Sequence, residues 1–176
     1  MQNDPGLTSG SSPHADALAR KLRNRTARAG VVGLGYVGLP LAVEFARAGF
    51  SVTGIDIEER KVAQVNQGES YVPDVPVEVL RPLVEDGRLR ATSDFSVIAE
   101  LDTVNICVPT PLRKTKDPDM SFIVSACRQI APHLQPGVLV ILESTTYPGT
   151  TDELVRPMLE RDDLRVGRDI FLCFSP

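Results

Sequence analysis

The stretch Ala29-Gly30-Val31-Val32-Gly33-Leu34-Gly35-Tyr36-Val37-Gly38-Leu39-Pro40 decides the fold. A short apolar run leads straight into three glycines at the spacing G-x-G-x-x-G, and small and apolar residues then recur at helical spacing from Val37 to Ala48. That order, strand then glycines then helix, is the context in which the pattern builds a dinucleotide cradle. Gly33 permits the tight turn, a side chain at Gly35 would collide with a pyrophosphate, and Gly38 lets the helix lie against the strand. The helix start offers unpaired N–H groups and its dipole to two phosphates, with Tyr36 and Val37 between the glycines. Pro40 sits in the first turn, where a missing N–H costs little.

The second half of the fingerprint follows. Ser51 to Ile55 is a strand, and Asp56 ends it, 18 residues after Gly38. A carboxylate there accepts hydrogen bonds from ribose hydroxyls and repels a 2′-phosphate, which favours NAD over NADP. Two alternatives stay open: Asp56 as a local cap for the next helix, and Arg60 and Lys61 as partners for NADP. Lys61 is counted among the cofactor-binding candidates.

Outward from this core the alternation continues. Helices are expected at Glu58–Asn66, Val77–Val84, Ser121–His133 and Thr151–Leu159. Further strands are expected at Leu89–Ala91, Thr103–Val108, Val138–Leu142 and Ile170–Phe174. The strongly apolar ones should be buried on both faces. Six strands separated by helices predict a doubly wound, mostly parallel α/β sheet of the Rossmann type in a single domain over 28–176. Residues 1–13 are rich in Ser, Gly, Asn and Pro and read as a flexible leader. Residues 14–27 read as a short basic helix and linker, with Ala15, Leu18, Ala19 and Leu22 on one face.

Composition narrows the function classes. The chain has 176 residues, 42% apolar and 24% charged, with net charge -4. That balance gives no reason to expect nucleic acid as a partner, and no apolar run approaches the length of a membrane span. With a polar start lacking a signal core, the expectation is a cytoplasmic protein. Three cysteines (Cys107, Cys127, Cys173) and two histidines (His14, His133), widely spaced, predict neither a disulfide framework nor a metal site.

Residues Gly33 to Pro40 resemble the opening of the UDP-glucose/GDP-mannose dehydrogenase family, the nucleotide-sugar 6-dehydrogenases. Three later blocks are similar too: Val108-Pro109-Thr110-Pro111, Glu143-Ser144-Thr145-Thr146-Tyr147-Pro148-Gly149-Thr150, and Phe174-Ser175-Pro176. Each follows a strand's C-terminal end, where such sheets bind ligands. The loops Gln67-Gly68-Glu69-Ser70-Tyr71, Asp74-Val75 and Pro111 to Met120 look most like members acting on UDP-N-acetylhexosamines, with UDP-N-acetylglucosamine placed first.

The resemblance implies oxidation of a sugar C6 alcohol to a carboxylate in two hydride transfers, with NAD as cofactor. It also implies a catalytic cysteine that holds the aldehyde covalently. That cysteine and its helpers belong to a region downstream of these residues, as do the central helix and substrate domain. The chain alone is therefore expected to be inactive, and the full-length form to be a homodimer or higher. Cys107 is not the nucleophile by this match. Val108, Pro109 and Thr110 are expected to line the cofactor.

Thr145 matches the family threonine near the nicotinamide that positions water, and is the one catalytic candidate; turn chemistry is the competing account. Arg113, Lys114 and Lys116 have two readings, a phosphate contact or a solvated loop. Two other classes remain for the whole: a different dehydrogenase on the same fold, or a non-catalytic NAD-binding module.

Overall fold

Ala29, Val31 and Val32 are all but fully buried, and the strand they form is the centre of a six-stranded sheet. The structure is a computed structural model that describes residues 12–111, 118–144 and 146–175. The strands are β1 (Arg28–Val32), β2 (Ser51–Ile55), β3 (Leu89–Thr92), β4 (Thr103–Ile106), β5 (Leu139–Leu142) and β6 (Phe171–Phe174). Their order is β3-β2-β1-β4-β5-β6, and every pairing is parallel. This is the doubly wound Rossmann arrangement the alternation predicted.

The register puts all six C-terminal ends on one edge. Val32 pairs with Ile55 on one side and Ile106 on the other. Ile55 continues to Thr92, Ile106 to Leu142, and Leu142 to Phe174. The chain winds from β1 outward through β2 to β3, then returns to place β4 on the other flank of β1. The loops after β1 and β4 therefore diverge, which opens a crevice above Val32.

Alternate residues of the central strands enter two separate cores, as the period of two requires. Ala29, Val31 and Val52 pack with Leu34, Leu39, Ala42, Val43, Leu80 and Leu89 on one face. Val32, Ile55, Val104 and Ile106 pack with Phe95, Ile98, Ile123, Cys127 and Ile130 on the other. Each fully buried Leu or Ile contributes roughly 1.5–3 kcal/mol.

The first core lies under α2 (Gly38–Arg47), α3 (Glu59–Asn66) and α4 (Val77–Glu85). The second lies under α5 (Ser121–Ile130), α6 (Arg156–Leu159) and a 3-10 helix at Phe95–Glu100. That 3-10 helix was not expected from the sequence. Asp94 starts it by accepting from the Ser96 N–H at 2.8 Å. The helix expected at Thr151–Leu159 opens as a π-turn segment over Thr150–Val155 before α6. The one expected at Ser121–His133 ends as α-helix at Ile130, and a 3-10 turn of Ala131–His133 follows.

The basic helix α1 spans Pro13–Arg23, with the Ser12 hydroxyl accepting from the His14 N–H. It docks on the N-terminal edge of the sheet, where Asp102 accepts from Lys21 Nζ at 2.6 Å and from the Arg28 N–H at 2.8 Å. Among the described residues, no helix is long and apolar enough to cross a membrane.

Candidate functional site

The glycine turn is held from three directions. Gly33 takes φ of +94°, and its N–H donates to the Ile55 carbonyl at 2.8 Å. The Leu34 side chain is fully buried, and its N–H donates to Asp56 Oδ2 at 2.8 Å. The Leu34 carbonyl accepts from the Tyr71 hydroxyl at 2.6 Å.

A Cβ on Gly38 would lie 1.7 Å from the Gly33 carbonyl oxygen, so only glycine allows α2 to start this close to β1. A Cβ on Gly35 would meet nothing within 4 Å: its face looks into open space. Tyr36 and Val37 are exposed beside it. Among the described residues, no backbone acceptor takes the N–H groups of Gly35, Tyr36, Val37 or Gly38. These amides open a ten-residue helix, with Gly35, Tyr36 and Val37 lining the opening and Gly38 buried behind them, an anion site by position and dipole.

Asp56 lies directly across the crevice at the end of β2 and is only 7% exposed. Its Oδ1 accepts from the Glu58 N–H at 2.9 Å while Oδ2 accepts from Leu34. The helix cap considered from sequence is not formed, because α3 starts after Glu58 without a side-chain capping bond; Asp56 instead closes a turn at the Glu58 N–H and holds the glycine turn, a bond the sequence did not reveal. Each oxygen retains accepting capacity toward the crevice.

Lys61 Nζ is 2.6 Å from Glu58 Oε1 and 3.8 Å from Asp56 Oδ2. Its hydrogen bond holds the Glu58 carboxyl below the usual range. Lys61 is thus shared between two carboxylates. Arg60 stands at the rim of the same opening.

Three hollows form one band along the C-terminal edge, each bordered by Cys107 and Pro109. A cleft of about 150 Å³ runs beside Asp56 between Ile55, Ile57, Phe95, Phe122 and Gln129. A wider hollow of about 510 Å³ lies over Gly35, Tyr36, Lys61, Tyr71 and Val108. The third, about 190 Å³, is lined by Val37, Thr110, Glu143 and Ser144.

The Ser144 hydroxyl donates to the Val108 carbonyl at 2.7 Å, tying the loop after β5 to the loop after β4. The structure thus brings Gly33, Gly35, Tyr36, Val37, Asp56, Lys61, Val108, Pro109 and Thr110 to one crevice, with Gly38 buried behind the glycine turn. Thr145, and with it Arg113, Lys114 and Lys116, lies outside the described residues.

Cys107 follows β4 and packs under the glycine turn. Burial, and then the Glu143 carboxylate, push its thiol up to about 12. Burial pushes Cys127 up to about 11. Neither is an activated nucleophile.

Another hollow, of about 270 Å³, lies at the opposite edge beneath α1. There Lys21 is paired with Asp102 and Arg28 with Glu100, which leaves no uncompensated charge for a ligand.

The model of the UDP-glucose/GDP-mannose dehydrogenase family, NAD binding domain, matches residues 27–176. The UDP-N-acetyl-D-mannosamine dehydrogenase of Escherichia coli is 43% identical over 155 residues, covering 83% of this chain and 36% of that protein. The UDP-N-acetyl-D-glucosamine 6-dehydrogenase of Pseudomonas aeruginosa is 40% identical over 147 residues, covering 83% and 34%. Among solved structures, NDP-N-acetyl-D-galactosaminuronic acid dehydrogenase from Methanosarcina mazei superposes with a TM-score of 0.79 at 36% identity, covering 90% of this chain and 37% of that one. The chain spans about a third of the length of these relatives.

Proposed function

Because the chain belongs to the UDP-glucose/GDP-mannose dehydrogenase family and carries its NAD-binding domain, we propose that it holds the cofactor of an enzyme oxidising the C6 alcohol of a UDP-N-acetylhexosamine to a carboxylate. The observation that carries this reading is the meeting, at one crevice, of the unpaired amides of Gly35, Tyr36 and Val37 with the Asp56 carboxylate. A cradle that is open where a Gly35 Cβ would stand, bordered by the unpaired amides of Gly35, Tyr36 and Val37, suits a pyrophosphate. Asp56 accepts from the adenosine ribose hydroxyls, and the Ile57 and Phe122 cleft takes the adenine. Val108, Pro109 and Thr110 flank the nicotinamide end.

Asp56 also excludes a 2′-phosphate. Lys61, which pairs with Asp56 at 3.8 Å, is also engaged by Glu58 at 2.6 Å and does not offset that repulsion. When bound, NAD would accept one hydride, and two NAD molecules in succession would be consumed as the alcohol becomes a carboxylate. Thr145 positions water for the hydrolytic step; its hydroxyl holds that water without carrying charge. A cytoplasmic location and a homodimeric full-length enzyme belong to the same proposal.

UDP-N-acetylglucosamine is placed first as substrate, on the likeness of the loops from Gln67 to Val75 and from Pro111 to Met120. The second reading is UDP-N-acetylmannosamine, favoured by the identity of 43% to the E. coli protein of that name. Following NADH absorbance with the full-length protein, NAD and each UDP-sugar tests the proposal. Steady NADH formation with UDP-N-acetylglucosamine, at two NADH per sugar, supports it. Turnover of UDP-N-acetylmannosamine alone moves the substrate to the second reading, and turnover of neither removes the proposal.

A further inference from the structure

Leu34 is the residue on which the cradle turns, and both of its peptide groups are held by side chains instead of by a strand or helix ladder. On the N–H side the anchor is Asp56. On the carbonyl side it is Tyr71, from the connection between α3 and α4, whose hydroxyl donates at 2.6 Å. We propose that Tyr71 is a positioning residue of the cofactor cradle, which aims the Gly35 amide by fixing the Leu34 carbonyl. The inference rests on the reading of the crevice as the NAD site.

The physical reason begins with the peptide plane. A trans peptide points its C=O and N–H in opposite directions, so fixing the Leu34 carbonyl fixes the direction of the Gly35 N–H. The residues on either side of Leu34 are glycines, which resist rotation least. The fully buried Leu34 side chain anchors its Cα but leaves the plane beyond it free to rotate. Tyr71 supplies the missing restraint from outside.

Its own placement is specified locally: Ser70 Oγ accepts from the Val72 N–H at 3.3 Å and donates to the Val72 carbonyl at 3.0 Å, closing a tight turn around Tyr71. Burial, then the Asp56 and Glu58 carboxylates, push the phenol above the usual tyrosine range, so it stays a donor throughout the working pH range. Tyr71 also borders the wide hollow beside Gly35, Tyr36 and Lys61. Its hydroxyl is spent on the protein backbone, and it acts through Leu34.

Tyr71→Phe keeps the ring and removes only the donor. Calorimetry with NAD and with ADP-ribose, both of which need the cradle, is compared with an NMR titration by adenosine, which needs only Asp56 and the adenine cleft. One neutral hydrogen bond is worth a factor of about three to ten in affinity. The expected result is a loss of that size for NAD and ADP-ribose, unchanged adenosine binding, and a shifted Gly35 amide resonance in the free protein. Undiminished NAD affinity in Tyr71→Phe overturns the proposal, and so does an equal loss for NAD and adenosine, which marks general loosening of the fold. Gly35→Val is the control that separates the two claims. If wild type binds NAD, Gly35→Val does not, and Tyr71→Phe matches wild type, the crevice stands and Tyr71 falls. If wild type and Gly35→Val bind NAD alike, the crevice reading falls and this inference with it.

Discussion

Gly35 and Gly38 stand within one turn of the chain, and the same methyl group added to each should have opposite effects. At Gly38 the new Cβ would be 1.7 Å from the Gly33 oxygen, 2.9 Å from its carbon and 3.1 Å from the Cys107 Cβ. The first two are backbone atoms fixed in the turn after β1, so α2 itself must retreat by more than about 1 Å, against the close packing that cores maintain. Leu39, Ala42 and Ala46, all fully buried, would be drawn off the sheet with it. Overpacking of this kind costs about 1–3 kcal/mol, occasionally more. A clash with rigid backbone puts Gly38→Ala at the upper end, about 3 kcal/mol, or a Tm lowered by roughly 6–12 °C in a domain of this size.

At Gly35 the Cβ meets nothing, and the residue lies outside the left-handed region. Alanine there should leave Tm unchanged or raise it slightly, since it removes about 0.4–1 kcal/mol of unfolded-chain freedom. Yet that space is where the pyrophosphate belongs, so Gly35→Ala should weaken NAD at least about tenfold, a cost of about 1.4 kcal/mol, and Gly35→Val should abolish binding with an unchanged circular dichroism spectrum. Thermal melts beside calorimetric NAD titrations read both arms. A Gly35→Ala variant that binds NAD like wild type, or that melts as early as Gly38→Ala, refutes the reasoning.

Asp56→Ala removes a charged acceptor from the ribose and should cost about 1.5–3 kcal/mol of NAD affinity. Because Asp56 also holds the Leu34 and Glu58 amides, the melt should fall as well; equal NAD affinity would mean the carboxylate serves the backbone alone. With their thiols pushed up to about 12 and about 11, buried Cys107 and Cys127 should resist iodoacetamide at pH 8 while exposed Cys173 reacts first. Peptide mapping that finds Cys107 labelled as fast as Cys173 would contradict the burial argument.

The sheet was legible in the sequence because its strands are short apolar runs alternating with stretches of helical period. Ser51 to Ile55 was placed to the residue, and the others shifted by one or two positions. Val37 to Ala48 was legible as a helix through its period and the glycine that ends it.

The 3-10 helix at Phe95–Glu100 was not, because six residues are too few to display a helical period. The braces of the site were invisible for a different reason. Asp56 reaches Leu34 across 22 positions and Tyr71 reaches it across 37. No spacing rule links such pairs; they meet only once β2 lies beside β1 and the α3–α4 connection folds over the turn. Asp56 was proposed as a ribose acceptor from its place after a strand. Its second task depends on the same tertiary closeness and left no trace in the pattern.

A calorimetric titration of the chain with NAD and with NADP tests most directly whether the crevice above Val32, Ile55 and Ile106 is an NAD site. With Asp56 at the end of β2 and Lys61 already shared by two carboxylates, NAD should bind at one site and NADP at least about tenfold more weakly, a difference of about 1.4 kcal/mol or more. Absence of NAD binding, or NADP binding as tightly as NAD, would contradict the account.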